Sequence, residues 1–320
     1  GIAFEGEVQG SGLLEWAGLA RVDGLLSGSF PYQASMDFED QGDSKNGASL
    51  TLRSDLQGLE ITLPPPFGKV PKAGEPLAID ADIAAGTGSV TLGSWGRARW
   101  RTIEDQAQGQ VWLEGWPGKQ AAWPSEPGWY VLWRPDRVDT QRWVQALTQL
   151  EATDAASAPE NRLETTLEDD VENPDAQPVN EGGGLKRVAL STPCILVKGR
   201  CLGGLQVDAA PLSDGWRLSL DGGIAAGEAS WQPESAMPID VDLQRLNLDA
   251  LTPDHKGAED SSSLMEAIET APHPIALPAE LAKVPAGHVR IAEIERQGQR
   301  FGPLEAAWQA DEQRLTAEPL

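Results

Sequence analysis

The sequence predicts a mostly β fold: a long, twisted and curled antiparallel sheet with one or two short helices. Three observations carry that expectation. Gly (34) and Pro (24) interrupt the 320 residues so often that long helices are excluded. Between these breaks, short runs alternate apolar and polar residues with the period of two that gives a strand one apolar face. No helix-length segment separates most neighbouring runs, so they are expected to pair antiparallel through hairpins.

The first runs lie at 32–38, 48–52, 59–63, 77–83, 89–92, 110–113 and 129–133. Asp139-Thr140 then precedes Trp143, Val144, Leu147 and Leu150, an N-cap type residue followed by i, i+3, i+4 spacing. This predicts an amphipathic helix over about 139–150 that packs on a sheet and closes a first β segment, 1–150. Residues 151–184 are rich in Ala, Pro, Asp and Glu with a lone Arg162, and end in Gly182-Gly183-Gly184. They read as an acidic flexible linker or insertion. Strands resume at 187–190, 204–209, 216–220, 228–231 and 239–243, and a polar insertion at 254–263 precedes a short helix at 264–270. This second β segment, 185–320, repeats itself over about 187–222 and 286–320: Lys198-Gly199-Arg200-Cys201-Leu202-Gly203-Gly204-Leu205 aligns with Gln297-Gly298-Gln299-Arg300-Phe301-Gly302-Pro303-Leu304 at an offset of 99 residues.

Charge narrows the partners. With 49 acidic against 25 basic residues, the formal charge of −24 repels nucleic acid, which is excluded as a partner. No stretch approaches the roughly 20 apolar residues a membrane-crossing helix needs. Gly1-Ile2-Ala3-Phe4-Glu5 resembles neither a start site nor a signal peptide, so the chain is expected to begin mid-protein.

Enzyme signatures are missing. The sequence has no G-x-S-x-G elbow, Walker loop, complete dinucleotide fingerprint, C-x-x-C pair or H-E-x-x-H helix. No catalytic residue, metal ligand or cofactor is therefore assigned, and no enzyme activity is expected. Gly86-Thr87-Gly88 reads as a hairpin turn, and Asp169-Asp170 as solvated charge in the acidic insertion. His255, His273 and His288 lack ligand-like spacing and read as exposed loop residues. Arg97, Arg99 and Arg101 alternate with Ala98 and Trp100 and share one strand face. That face is either a solvated outer surface or a set of contacts to a headgroup phosphate. Trp is over-used, 12 against 2 Tyr, with Trp112, Trp116, Trp123, Trp129 and Trp133 concentrated ahead of the helix, as core packing or as an amphipathic rim.

Cys194 and Cys201, the only cysteines, flank one candidate hairpin. A four-residue loop at 196–199 would set them directly opposite each other, whereas a two-residue turn at Lys198-Gly199 would set Cys201 against Leu196. A disulfide here implies an oxidising compartment such as the periplasm; two unpaired buried thiols are the other reading.

One run carries a resemblance. Ser54-Asp55-Leu56-Gln57-Gly58-Leu59-Glu60-Ile61-Thr62-Leu63-Pro64-Pro65-Pro66-Phe67-Gly68-Lys69 is similar to the S-x-L-x-G-L-x-x-x-L-P-x-P-x-x-K signature of the YhdP family of AsmA-like bacterial envelope proteins. Pro127-Gly128-Trp129-Tyr130-Val131-Leu132 and the pair Asp214-Gly215-Trp216-Arg217-Leu218 with Ala226-Gly227-Glu228-Ala229-Ser230-Trp231 resemble later family segments in the expected order. The acidic insertion and the Trp-rich stretch depart from that pattern, and the cysteines lie outside it. The resemblance implies a C-terminal portion of a longer periplasmic protein, anchored to the inner membrane by a segment not in this chain. It also implies a sheet curled into an apolar groove, as in the eukaryotic bridge-like lipid transporters. Such a groove would shield phospholipid acyl chains in transit between inner and outer membrane, reached through parts outside this chain or through partner proteins.

Candidates for the groove face are Leu50, Leu52, Leu59, Ile61, Leu63, Leu77, Ile79, Ile83, Val90, Leu92, Val111, Leu113, Leu205, Val207, Leu218, Leu220, Ile239, Val241 and Leu243. The competing reading is a structural or protein-binding β module of the envelope, in which the same side chains form a closed core. Periodicity alone does not separate the two.

Overall fold

The structure, a computed structural model, describes residues 1–12, 25–39, 47–118, 121–146, 148, 184–251, 285–310 and 315–319. The acidic insertion up to 183, the second polar insertion, the helix expected at 264–270, Leu147, Leu150, His255, His273 and Asp169-Asp170 lie outside the described residues. The chain divides into two compact units, Gly1–Ala189 with Leu196–Gly199, and Leu190–Ile195 with Arg200–Leu320.

In the first unit the strands are β1 (Ile2–Gln9), β2 (Leu26–Ser27), β3 (Ser29–Glu39), β4 (Gly47–Ser54), β5 (Glu60–Ile61), β6 (Leu77–Asp82), β7 (Thr87–Leu92), β8 (Gly96–Ile103), β9 (Gln106–Leu113), β10 (Gly128–Trp133) and β11 (Val138–Asp139). Eight of them form one sheet in the order β1-β3-β4-β6-β7-β8-β9-β10. Every neighbouring pair is antiparallel except the last, and short hairpins join β6, β7, β8 and β9 in turn. β10 runs parallel to β9 because the connection at 114–127 crosses back over the sheet instead of reversing direction.

β12 (Leu185–Thr192) runs into the second unit. β13 (Ile195–Val197), of which Leu196 and Val197 belong to the first unit, is followed in the second unit by β14 (Arg200–Cys201), β15 (Leu205–Leu212), β16 (Gly215–Gly222), β17 (Ala225–Trp231), β18 (Ile239–Asn247), β19 (Gly287–Ile291), β20 (Ile294–Arg296), β21 (Gln299–Phe301), β22 (Leu304–Ala310) and β23 (Leu315–Pro319). β15 to β18 form a meander. β18 then pairs in parallel with β19 and, further along, with β20, again where a long connection replaces a hairpin. β22 returns antiparallel to β19 and pairs with β23. The mostly β, hairpin-rich expectation therefore holds, and these parallel junctions make the sheet mixed.

One element departs from the sequence reading. The run at 59–63 is not a strand of the main sheet: only Glu60–Ile61 is extended, paired with Leu26–Ser27 in a separate two-stranded sheet. Positive φ at Leu56 and Gly58 and the run Pro64-Pro65-Pro66 hold it in a loop. The helix is described over 140–146 and at 148, with the Asp139 carboxylate accepting the Arg142 amide at 3.3 Å, as an N-cap should.

At the repeat offset of 99 residues, β13, β14 and β15 correspond to β20, β21 and β22. The turn residues Lys198 and Gly199, with φ of 49° and 76°, match Gln297 and Gly298 at 52° and 70°. Gly203 (120°) matches Gly302 (140°) in the same way. Each hairpin is thus a two-residue turn with both residues left-handed, the conformation that fits the twist of short antiparallel strands.

Candidate functional site

Residues directly opposite each other on adjacent strands share a sheet face, so the registers define what that face presents. In the first unit, one row runs Phe4, Ala34, Leu52, Ile79, Val90, Ala98, Val111, Val131. The row on one side is Ile2, Met36, Leu50, Ala81, Gly88, Trp100, Gly109, Trp129; on the other it is Gly6, Tyr32, Ser54, Leu77, Leu92, Gly96, Leu113, Trp133. None of these positions carries a charge. The second unit has the same construction: Val207, Leu220, Gly227, Leu243, Ile291, Leu304; then Ala209, Leu218, Ala229, Val241, Val289, Ala306; then Pro211, Trp216, Trp231, Ile239, Gly287, Trp308.

The bulk of the face is adjusted by Gly-Trp pairing. A Cβ on Gly88 would lie 2.1 Å from the Trp100 ring, one on Gly109 would lie 2.2 Å from Trp129, and one on Gly287 would lie 2.3 Å from Trp308. Each indole therefore lies flat across a neighbouring strand.

These side chains are mostly half-buried. Among the described residues no large side chain falls below 2% exposure, and Ile2 (59%) and Phe4 (42%) leave the apolar rows open at the β1 edge. A sealed two-layer core would put many of them below that limit. By this geometry Leu50, Leu52, Leu77, Ile79, Val90, Leu92, Val111 and Leu113 share one face in the first unit. Leu205, Val207, Leu218, Leu220, Ile239, Val241 and Leu243 share one in the second, where Leu205 pairs with Gly222. Ile83 sits past the end of β6, exposed at the turn.

Leu59, Ile61 and Leu63 belong elsewhere. They sit on the loop at 55–76, which folds over one end of the strands and forms a tightly packed cluster: Phe30, Leu56 and Leu59, with Val8, Leu26, Ile61, Leu77 and Leu92 against it. The signature run builds this plug residue by residue. The Ser54 hydroxyl donates to the Pro31 carbonyl at 2.6 Å and accepts the Leu56 amide at 2.9 Å, which aims Leu56 inward. At Gly58, φ is 97° and a Cβ would meet the Ser29 carbonyl at 2.1 Å, so no side chain fits. Lys69 is buried, and its ammonium donates to the carbonyls of Leu59 (2.8 Å) and Val70 (3.3 Å). Burial lowers its pKa, opposed by Asp55 and Glu75.

Phe67 closes the plug against Trp95, Trp133 and Trp143, with ring centroids 5.1, 5.5 and 5.9 Å away. Trp143 comes from the helix. Between plug and sheet lies a pocket of about 410 Å³ with apolar lining only, from Leu26, Leu56, Leu59, Ile61, Leu63 and Phe67 on one side and Leu77, Leu92, Trp95, Leu113 and Trp143 on the other.

The arginine ladder corrects a sequence expectation. Arg97, Arg99 and Arg101 lie opposite Trp112, Gln110 and Gln108, on the face away from the apolar rows. Trp116 and residues 121–126 of the crossing connection cover them. Arg99 stacks on Trp123 at 4.0 Å and Trp112 at 5.2 Å, Arg101 on Trp123 at 4.4 Å, and Arg97 on Trp116 at 5.5 Å. Arg99 also donates to Gln110 and to the Ala121 and Ala122 carbonyls, while the buried Gln108 amide holds the Pro124 and Glu126 carbonyls. Burial, with Arg101 nearby, lowers the Arg99 pKa. These cations pin a loop, and a lipid on the apolar face would not meet them.

Cys194 and Cys201 are disulfide-bonded with a Cα separation of 5.4 Å. The two-residue turn of the two registers is the one present. The Ile195 carbonyl accepts Leu202 N and its amide donates to Gly203 O, two residues against one, so a bulge follows the turn. His288 is not on a loop: it lies on β19, where its ring nitrogens reach Asp240 Oδ1 (3.1 Å) and Glu305 Oε1 (3.2 Å) on flanking strands. The bond to Asp240 raises its pKa; partial burial opposes this and Glu305 adds to it. No cluster able to hold a metal occurs among the described residues.

Phe4, Ala34, Met36, Trp100, Trp129 and the plug residues Leu26, Leu56, Phe67, Trp95 and Trp143 were outside the sequence-derived set. Trp100 and Trp129 were readable by parity with Ala98 and Val131; the plug depends on contacts far apart in the chain. No helix among the described residues is long and apolar enough to cross a membrane. The family model described as YhdP protein matches residues 1–320. No curated protein and no solved structure matches the chain.

Proposed function

Because the chain belongs to the YhdP family, matched over residues 1–320, we propose that it is a length of a non-enzymatic lipid conduit whose apolar face holds phospholipid acyl chains on their way between the inner and outer membrane. The observation that carries this reading is the set of uncharged cross-strand rows in each unit, left half-exposed. In the first unit eight strands at about 4.8 Å and three rows at about 6.8 Å make a continuous surface of roughly 34 by 14 Å, the size of the largest apolar patch of an ordinary monomer, which is often a binding surface.

Energetics favour such a surface as a path. Each acyl methylene costs about 0.8 kcal/mol to expose, so a two-chain lipid escapes into water extremely slowly. A face that repeats the same apolar chemistry from strand to strand keeps the tails dry at nearly uniform affinity, and lipid moves by sliding, without bond chemistry. The family is an AsmA-like envelope family; the periplasmic location and the inner-membrane anchor outside this chain are part of the proposal, and the disulfide suits an oxidising compartment. Native mass spectrometry and solvent extraction of the purified chain test it. Copurifying phospholipid is the expected result; reproducibly lipid-free protein that takes up none from vesicles would favour a structural envelope module.

A further inference from the structure

We propose that the pocket beneath the 55–76 loop is a terminus site for a single acyl chain, so that lipid lies across the first unit with its tail ends toward this plug. The inference rests on the conduit reading and adds an orientation to it.

The row Leu77, Leu92, Leu113 lines the pocket and adjoins Ile79 and Val90 on the same strands, so a chain lying along the strands over Ile79 and Val90 reaches it methyl end first. Its lining offers nothing to a headgroup: phosphate, glycerol or amine would shed water there and find no partner. The pocket is partly open to solvent and its wall gives water no polar partner, so water there is readily displaced and a hydrocarbon end that covers the wall gains by burying apolar surface. Its volume of about 410 Å³ lies near the lower end of the roughly 300–1,000 Å³ range of ligand pockets.

The opposite strand ends supply the contrast. There the turns after β6 and between β8 and β9 present Asp82, Glu104 and Asp105 to solvent. A lipid with its headgroup in water at these turns and one acyl end under the plug keeps the phosphate hydrated, with the carboxylates available only to the ammonium of a zwitterionic headgroup; the reverse orientation would press the headgroup against an apolar wall. The plug is also fixed enough to act as a wall, through the Ser54 and Lys69 hydrogen bonds and the Phe67 aromatic cluster.

Two photoreactive phosphatidylethanolamines decide the matter, one with a diazirine at the acyl terminus and one with it beside the glycerol ester. The full chain is loaded from vesicles containing either lipid, separated from them, irradiated and digested, and adducts are mapped by tandem mass spectrometry. Terminal-diazirine adducts are expected on 55–76 and around Trp95 and Trp143, and ester-side adducts near 82–86 and 103–106. Leu92→Trp, which fills the pocket, is expected to lose the terminal adducts on the loop while retaining bound lipid. Terminal adducts spread evenly along the strands, or ester-side adducts on the loop, would overturn the terminus site and leave the conduit standing. A chain that retains neither lipid would overturn the conduit reading beneath it. The wild-type map is decisive even where Leu92→Trp does not fold.

Discussion

A charge placed in the middle of each apolar face separates a lipid path from a packing surface. Ile79 sits between Leu52 and Val90 in the central row of the first unit, and Val241 between Ala229 and Val289 in that of the second. Both are half-buried, so a lysine at either site reaches water in the lipid-free protein and the fold should tolerate it. Under a layer of acyl chains the same ammonium would be in hydrocarbon. Lysine on the lipid-facing side of a membrane β-barrel costs about 2–4 kcal/mol at the bilayer centre, which corresponds to roughly 30- to 1,000-fold in lipid affinity. The paired variant Ile79→Lys/Val241→Lys covers both units, and Ser89→Lys, next to Val90 in sequence but on the outer face, is the control. Lipid per protein is read by extraction and native mass spectrometry, with far-ultraviolet circular dichroism as the check on folding. The paired variant should be nearly lipid-free with an unchanged spectrum, and the control should match the wild type. Full lipid occupancy in the folded paired variant, or equal loss in Ser89→Lys, would refute the assignment of this face.

Three further outcomes follow from local geometry. Gly88→Val brings a side chain to within 2.1 Å of the Trp100 ring, so the indole must lift from the strand; destabilisation of about 1–3 kcal/mol and a red-shifted tryptophan emission are expected, and unaltered emission would contradict the stacking. Cys194→Ser/Cys201→Ser opens a short covalent loop, with an expected loss of about 2.5 kcal/mol in the chain-entropy account, read as faster hydrogen exchange at the Ile195 and Leu202 amides. His288 has a raised folded pKa, so the stability it adds is fully present below the unfolded value of about 6.5 and disappears as pH rises through the folded pKa. The thermal midpoint should fall over that interval in the wild type and stay flatter in His288→Gln; identical profiles would show that the Asp240–His288–Glu305 bridge does not contribute.

How far the sequence revealed this architecture depends on how local the cause was. The sheet face was legible because strand periodicity is local: Leu50, Leu52, Ile79 and Val90 alternate with Ser49, Thr51, Asp80 and Ser89, and the registers only align what each strand already displays. Leu59, Ile61 and Leu63 show the same alternation, yet they form a plug, because the left-handed backbone at Leu56 and Gly58 turns the run off the sheet before periodicity can act. The arginines were legible as one face. Their partners were not, since Trp116 and Trp123 reach them only through a crossing connection that also makes β10 parallel.

The two copies of the short hairpin indicate what the disulfide is for. Shifted by 99 residues, Cys194 falls on Glu293 and Cys201 on Arg300, and these two form an ion pair at 3.4 Å beside the corresponding two-residue turn. One backbone position pair is bridged covalently in one copy and electrostatically in the other. The second bridge is exposed and intrinsically weak, on the order of 0–1 kcal/mol, yet its hairpin has the same turn and the same Gly at its exit. Turn geometry therefore shapes the hairpin and the cross-strand bridge secures it, so redox chemistry is not needed for its form. On that argument Cys194→Glu/Cys201→Arg should retain the hairpin and the lipid occupancy of the wild type, with stability nearer to that of the serine pair. Loss of lipid in this variant while the fold persists would give the sulfurs a role beyond holding two strands together.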